Sequence, residues 1–339
     1  MATSISRVKA SLTGGMEDRP PVGVWAHNFT RENSPEDLAE ETVRVVKHYG
    51  WDFAKIQNRA TSFGEDWGLR FKPSDKYYVM PEVIELPVRD STGLRNLRPV
   101  DPTEGVLGEQ LRALRMIRKA LGDEFPVIQT VFSPSMVLPF LMEKDMKKHG
   151  PCLRSVIQDY PQAARQALTA LKETYVNFVK AALEGGADGV FYTIKPAGKA
   201  FLSLDQYKEF CLEDDAEVLQ AANGGWFNML HLCGSGVYFD VIPELPCHAV
   251  NYEVLPEHPK LSEVRDKYGK TVMGGLSPKP YTVSLTPAQV AAEVTSALED
   301  TKGLGFMVAP GCSISPDTPE ENLFAMHAAI RGWLSKDKQ

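Results

Sequence analysis

The feature that most constrains the fold is an alternation of short apolar runs with long amphipathic stretches along the 339 residues. Runs typical of buried strands occupy residues 22–26, 52–57, 127–132, 188–193, 227–232, 248–252, 271–275 and 305–309. Strands covered by helices on both faces of a parallel sheet are apolar along their whole length. The pattern therefore predicts an α/β protein with a parallel sheet of eight strands.

The stretches between these runs carry the end signals of helices. Ser34 and Pro35 provide an N-cap and a proline in the first turn, and Gly50 marks the end of the same stretch. Eight strand–helix units close into a (β/α)8, or TIM, barrel. An open doubly wound sheet needs a glycine-rich phosphate loop after its first strand, whereas residues 27–33, HNFTREN, contain no glycine. We therefore expect a single barrel domain over residues 1–339.

One connection is much longer than the others. About 50 residues, 58–105, separate the second predicted strand from the helix that precedes the third. Aromatic and polar residues alternate there and are interrupted by glycine and proline, which favours a small hairpin over a disordered linker. Because such an insertion follows the carboxyl end of a strand, we expect it to form a lid over the barrel mouth or a contact in a homodimer.

Charge and cysteine content narrow the possible partners and the compartment. The net charge is −7, so concentrated Lys and Arg for binding nucleic acid or an anionic membrane are absent. No apolar run approaches the roughly 18 residues of a membrane span, and the first residues do not read as a signal peptide. The five cysteines are widely spaced and do not form a disulfide framework. We expect a cytoplasmic protein with reduced thiols.

Possible metal ligands follow three of the predicted strands at their carboxyl ends, where a barrel builds its active site. His231 and Cys233 are two residues apart and so share a face, Cys312 follows the eighth strand, and Glu253 follows the sixth. One imidazole, two thiols and one carboxylate form a tetrahedral zinc site. The alternative is that the cysteines are small core residues, because an H-x-C pair alone has low specificity.

A zinc ion held by two thiolates is a weak Lewis acid and is well suited to binding a substrate thiol. Such a site lowers the pKa of the thiol from about 8.5 and presents it as a zinc thiolate. Glu253 is the ligand expected to give way to the incoming sulfur. The predicted reaction is methyl or alkyl transfer to a thiol, and hydrolysis by zinc-bound hydroxide remains an alternative.

Five other residues near strand ends are candidates for contact with substrate. Tyr192 could act in catalysis or simply pack in the core. Lys55 and Lys195 could bind an anionic group of the substrate. His27 and Asn28 follow the first strand and could line the pocket or belong to an exposed loop.

Three segments resemble the uroporphyrinogen decarboxylase superfamily, whose fold is a (β/α)8 barrel. They are HLCG at 231–234, GADGVFYT at 186–193 and APGCSISPDTPEENLFAM at 309–326. The order of these motifs agrees with that superfamily along nearly the whole chain. The resemblance implies an enzyme of one of two branches.

The first branch contains the zinc-dependent methylcobamide:coenzyme M methyltransferases and the epoxyalkane:coenzyme M transferases. Resemblance to it implies zinc ligands at His231, Cys233 and Cys312 and a displaceable ligand at Glu253. It also implies a small thiol as acceptor, and a methylated corrinoid protein or another electrophilic alkyl donor.

The second branch contains the decarboxylases themselves, whose chemistry needs no metal. They carry an arginine-rich segment after the first strand, an aspartate on the second strand and a glycine–histidine pair near the eighth. Here residues 24–33, VWAHNFTREN, contain only Arg31, Asp52 lies at the start of its strand, and the eighth strand is followed by Gly311 and Cys312. One arginine cannot pair with the many carboxylates of uroporphyrinogen. Uroporphyrinogen decarboxylation and a non-catalytic barrel that binds a corrinoid or tetrapyrrole remain the alternatives.

Overall fold

A computed structural model describes residues 2–278 and 281–336 and contains a parallel sheet of seven strands in the order β1-β4-β5-β6-β7-β8-β9. The strands are β1 (Ala54–Lys55), β2 (Arg70–Lys72), β3 (Glu82–Glu85), β4 (Val127–Phe132), β5 (Gly189–Ile194), β6 (Met229–Leu232), β7 (Ala249–Tyr252), β8 (Thr271–Leu276) and β9 (Phe306–Pro310). Strands β2 and β3 form a separate antiparallel pair. The predicted α/β fold of the TIM-barrel type is confirmed.

The first predicted strand, residues 22–26, differs from the prediction. Only Val22 forms a bridge, with Val308 of β9, and no regular strand follows it. The segment still touches both edges of the sheet: Gly23 N donates to Val308 O at 3.1 Å, and Asp52 N donates to Val22 O at 2.7 Å. Pro21 lacks a backbone N–H and therefore cannot donate a hydrogen bond to a neighbouring strand. Seven regular strands and one linking segment therefore replace the eight expected strands.

Helices surround this sheet. They are α1 (Ser4–Leu12), α2 (Pro35–Tyr49), α3 (Ser62–Glu65), α4 (Ser91–Asn96), α5 (Gly105–Leu121), α6 (Pro134–Phe140), α7 (His149–Asp159), α8 (Pro161–Glu184), α9 (Leu204–Phe210), α10 (Leu212–Gln220), α11 (Leu261–Tyr268), α12 (Tyr281–Ser284), α13 (Pro287–Thr301) and α14 (Glu320–Lys336). The signals predicted for α2 act as expected: Ser34 Oγ accepts from Asp37 N, and Gly50 has a left-handed φ of 66°. None of the helices in the described part of the chain has the length and apolar character needed to cross a bilayer.

Two apolar clusters separate the inside of the sheet from its outside. Residues of the inner face meet one another along the barrel axis, among them Phe53, Phe191, Met229, Met273 and Met307. Residues of the outer face pack against the helices in a second, larger cluster. Because neighbours on a strand alternate between these faces, the sequence position of each residue decides whether it can reach the barrel interior.

The insertion at 58–105 contains the predicted hairpin, formed by β2 and β3, together with α3 and α4. The turn of this hairpin is held close to the barrel by a hydrogen bond from Phe29 N to Tyr77 O of 3.0 Å. Met80, on the same turn, lines the interior cavity described below. The roles of the insertion as a lid or a dimer contact stay predictions, as does the single-domain organisation.

Candidate metal centre and active-site cavity

Three soft donors meet at the carboxyl edge of the sheet. His231 lies on β6, Cys233 follows that strand, and Cys312 follows β9. One ligand atom from each residue lies within 4.8 Å of the other two, and the two sulfur atoms are 3.9 Å apart. The structure thus brings together the three residues that the sequence predicts as metal ligands.

The backbone around these residues explains why the donors meet. Cys233 N donates to Ile194 O of the neighbouring strand at 3.0 Å, which carries the ladder one residue beyond β6. Gly234 then turns the chain with a φ of 104°, a conformation that favours glycine. A Cβ atom at Gly311 would lie only 2.6 Å from Glu253 Cα. Glycine at that position allows the Cys312 loop to pack against the end of β7.

The donor set fits a zinc ion. Two thiolates in a tetrahedral site with Zn–S bonds of about 2.3 Å are about 3.8 Å apart, close to the separation seen here. In the described structure His231 is buried and its Nδ1 has no hydrogen-bond partner. The hydrogen bond between the two thiols holds the pKa of Cys312 well below its usual value and raises the pKa of Cys233. Between the two thiols, the negative charge is therefore favoured on Cys312.

Glu253 lies beside this group but outside it. Its carboxylate oxygens are not among the donor atoms that all lie within 4.8 Å of one another. Burial raises the pKa of Glu253, and the negative charge of Cys312 adds to that effect. The carboxylate is thus close enough to interact with the centre, while its role as a displaceable fourth ligand stays a prediction.

A cavity of about 200 Å³ opens in front of the three donors. Lys55 and Lys195 both line it, as the sequence predicts. Burial lowers the pKa of Lys55 to about 7, although the nearby thiols act in the opposite direction. Most of the remaining wall is apolar, although Gln57, Asn58, Thr130, Thr193 and Ser313 also line it. Its large apolar side chains are Trp25, Phe29, Phe63, Met80, Phe132, Met136, Phe140, Met146 and Phe191. Such a wall offers apolar contacts to a ligand, while the lysines supply positive charge.

A line of hydrogen bonds leads from Lys55 to the protein interior. Lys55 Nζ donates to Gln57 Oε1, and Gln57 Nε2 lies 2.7 Å from His27 Nε2. Because an amide nitrogen only donates, His27 accepts at Nε2 and donates from Nδ1 to buried Glu32 at 2.8 Å. The sequence analysis missed Gln57 and Glu32. Gln57 could have been identified from the sequence, because it lies two residues after Lys55 in the predicted strand 52–57 and therefore faces the same side.

Two predicted site residues lie away from the cavity. Tyr192 is fully buried on the outer face of β5, and its hydroxyl donates to Asp215 at 2.7 Å. This placement contradicts the predicted contact with substrate, because Phe191 occupies the inward position. Asn28 donates from Nδ2 to Glu41 of α2 at 2.9 Å and does not line the cavity. Of the two residues after the first segment, His27 alone lines it.

His258 has a structural role at the rim that the sequence did not reveal. Gly236 N donates to His258 Nε2 at 3.1 Å, so Nδ1 carries the proton and donates to Glu253 O at 2.7 Å. The ring therefore ties the loop after β6 to the loop after β7. Both loops carry residues of the candidate site, and this tie restricts their relative movement.

Comparisons with known proteins agree with this architecture. The sequence profile described as uroporphyrinogen decarboxylase (URO-D) matches residues 26–333. The uroporphyrinogen decarboxylase of Dechloromonas aromatica (strain RCB) is 23% identical over 306 residues, 88% of this chain and 83% of that protein. The enzyme of Trichlorobacter lovleyi is 25% identical over 293 residues, 85% of this chain and 82% of that protein.

Solved structures show the same fold. A methyltransferase from Methanosarcina mazei superposes with a TM-score of 0.83 at 20% identity, covering 98% of this chain and 99% of that one. A B12-independent methionine synthase from Shewanella sp. W3-18-1 superposes with a TM-score of 0.56 at 15% identity, covering 90% and 87%. Since the family profile spans most of the sequence, this chain belongs to the uroporphyrinogen decarboxylase family.

Proposed function

We propose that this protein is a zinc-dependent methyl- or alkyltransferase that transfers an alkyl group from an electrophilic donor to a small thiol. The observation that carries the proposal is the meeting of His231, Cys233 and Cys312 at one end of the cavity. The fold shared with the Methanosarcina mazei methyltransferase supports it. A methylated corrinoid protein is the donor that the family resemblance suggests.

His231, Cys233 and Cys312 would hold the zinc ion. When bound, zinc supplies positive charge that lowers the pKa of a thiol substrate and favours its thiolate form. Transfer then forms a carbon–sulfur bond, breaks the bond between the alkyl carbon and its carrier, and releases the thiol proton. The carrier leaves with the electron pair of the broken bond.

The other cavity residues would bind and orient the thiol. Lys195, together with Lys55 in its protonated form, supplies positive charge to a mostly apolar wall, and the two would pair with an anionic group on the acceptor. The hydrogen bonds from Lys55 through Gln57 to His27 hold the ammonium group in place. The aromatic side chains of the wall would reduce the number of water molecules that can solvate a thiolate in the cavity.

Uroporphyrinogen decarboxylation is the second candidate, because the curated relatives at 23% and 25% identity carry that name. The size and the lining of the cavity disfavour this reaction. Its volume of about 200 Å³ lies below the about 300–1,000 Å³ of pockets for drug-sized ligands, and a tetrapyrrole is larger still. Its lining within the described residues includes lysines but no arginine to pair with several carboxylates.

Metal analysis tests the centre directly. We expect about one zinc per chain in the purified wild-type protein. The Cys312→Ser variant should lose most of it, because a hydroxyl is a poor zinc ligand. Cys152→Ser is the matched control, since Cys152 is a free cysteine outside the donor group and should retain zinc. Wild-type protein without zinc, or equal zinc in both variants, would contradict the proposal.

Turnover assays separate the candidate reactions. Methylcobalamin with 2-mercaptoethanesulfonate should lose its absorbance when the enzyme is added, and loss with neutral 2-mercaptoethanol should be slower. Carbon dioxide release from uroporphyrinogen would instead establish decarboxylation. Binding of methylcobalamin without any loss over several thiols would indicate a barrel that binds corrinoid without catalysis.

A further inference from the structure

We propose that Asn251 positions His231, its side-chain oxygen accepting a hydrogen bond from His231 Nδ1–H and thereby directing Nε2 at the two thiols. The inference rests on the proposed function, because it concerns the same metal centre. Asn251 is fully buried and His231 is 2% exposed. Among the described residues, neither Asn251 Oδ1 nor His231 Nδ1 has a hydrogen-bond partner. A buried donor and a buried acceptor without partners each destabilise the folded protein, and a hydrogen bond between them would remove this cost.

The strand register places the two side chains next to each other. His231 on β6 and Asn251 on β7 are direct partners in a parallel pair. Neighbouring strands lie about 4.8 Å apart, so partners on one face have adjacent side chains. Both residues have the parity of the inward-facing Met229 and Ala249 on their strands. The unpaired oxygen and the unpaired nitrogen are thus on adjacent side chains of the same face.

The amide of Asn251 can take only one orientation. Its Nδ2 donates to Met273 O and to Pro310 O, each at 3.0 Å. Both partners are carbonyl oxygens that only accept, so turning the amide over would set oxygen against oxygen. The two bonds hold Nδ2 toward β8 and β9. Oδ1 is thus the amide atom left without a partner, and His231 of β6 is the neighbouring side chain with an unpaired nitrogen.

This arrangement fixes which ring nitrogen is free to bind a metal. A hydrogen bond to Asn251 Oδ1 requires the proton on His231 Nδ1, which leaves the lone pair of Nε2 exposed to the thiols. The other ring nitrogen of a metal-binding histidine is normally held in this way, and loss of the partner weakens metal binding about 10- to 100-fold. Asn251 is thus a positioning residue that acts through His231.

The chain offers a matched control for this residue. Asn322 is buried, donates from Nδ2 to Thr282 O and Leu285 O at 3.0 and 2.8 Å, and has an unpaired Oδ1. It lies on α14, outside the donor group and the cavity lining. Asn251→Ala and Asn322→Ala therefore each remove two hydrogen bonds from a buried amide to backbone carbonyl oxygens. Only Asn251→Ala also removes the acceptor proposed for His231.

The first measurement is zinc affinity by competition with a chelator. We expect Asn251→Ala to bind zinc about 10- to 100-fold more weakly than wild type, and Asn322→Ala to bind as wild type does. Equal affinities of Asn251→Ala and Asn322→Ala would overturn the proposal.

The second measurement needs no variant of Asn251. A long-range ¹H–¹⁵N spectrum of protein labelled in its histidines reports which nitrogen carries the proton, and His231→Gln assigns the signal. We expect the proton on Nδ1 of His231 with and without zinc, and a proton on Nε2 would refute the inference. Absence of zinc from wild-type protein would refute the proposed function instead, and the metal-free spectrum would still decide the role of Asn251.

Discussion

A buried carboxyl group outside the active site should make the stability of this protein fall as the pH rises. Asp215 on α10 is fully buried and accepts hydrogen bonds from Tyr192 and Tyr207 at 2.7 and 2.6 Å. Burial raises the pKa of Asp215 to about 7, even though both hydroxyl groups favour the charged form. Asp215→Asn tests this, because an amide of the same shape can contact both hydroxyl groups without a charge.

The sign follows from proton binding. The unfolded chain releases the Asp215 proton near pH 3.8, whereas the folded protein keeps it until the pH reaches about 7. The stabilising contribution is therefore complete below the unfolded pKa and is lost as the pH rises through the folded one. The full loss is about 4 kcal/mol, from about 1.36 kcal/mol per pKa unit. About 2 kcal/mol of it falls between about pH 5 and about pH 7.

Urea unfolding at several pH values measures the effect. The free energy of unfolding of wild type, relative to Asp215→Asn, should decrease by about 2 kcal/mol from about pH 5 to about pH 7 and then level off. All other titrating groups are common to both proteins and cancel in the difference. A difference that stays constant over this range, or that increases with pH, would show that the carboxylate is charged in the folded protein.

Three further substitutions probe the site and its support. Lys55→Met should raise KM for an anionic thiol about tenfold while changing KM for a neutral thiol little, because one cation of the cavity is lost and Lys195 remains. Equal changes for both thiols would contradict a role in charge recognition. Gly311→Ala should lower stability by about 1–3 kcal/mol and weaken zinc binding, since its Cβ would lie 2.6 Å from Glu253 Cα. Thermal unfolding and chelator competition measure these effects. Tyr192→Phe should lose about 1–2 kcal/mol of stability with kcat unchanged, and a large loss of kcat would restore the catalytic role first predicted for it.

The sequence alone was sufficient to locate the donor group, because strand ends in a parallel barrel converge on one edge. His231 and Cys233 share a strand face through their spacing of two. Cys312 follows β9, which lies three strands from β6 in the sheet order, and no fixed spacing in the sequence links it to the other two residues. A short apolar run followed by a chemically reactive residue can be recognised within a few residues of sequence, and it predicts a site residue at the end of a strand. The convergence of such residues depends only on closing the sheet, which the strand count already predicts.

Tyr192 shows where local reasoning failed. Thr193 is the register partner of His231 and faces the interior, so Tyr192 must face the helices. The sequence contains this parity, but a tyrosine at a strand end is equally compatible with either face until the register is known. The partner of its hydroxyl, Asp215, comes from α10, and no pattern within β5 could reveal that contact.

Charge balance links the metal centre to the choice of substrate. A zinc ion bound by two thiolates and a neutral imidazole carries no net charge, so the remaining charges of the site decide what it attracts. Lys195 contributes a positive charge to the cavity, Lys55 adds a second when the pH lies below its pKa of about 7, and Glu253 at the cavity edge contributes one negative charge. Beneath them lies the apolar inner cluster that includes Met229, which cannot screen charge. An acceptor that carries its own anionic group neutralises this excess and is favoured over a neutral thiol of the same size.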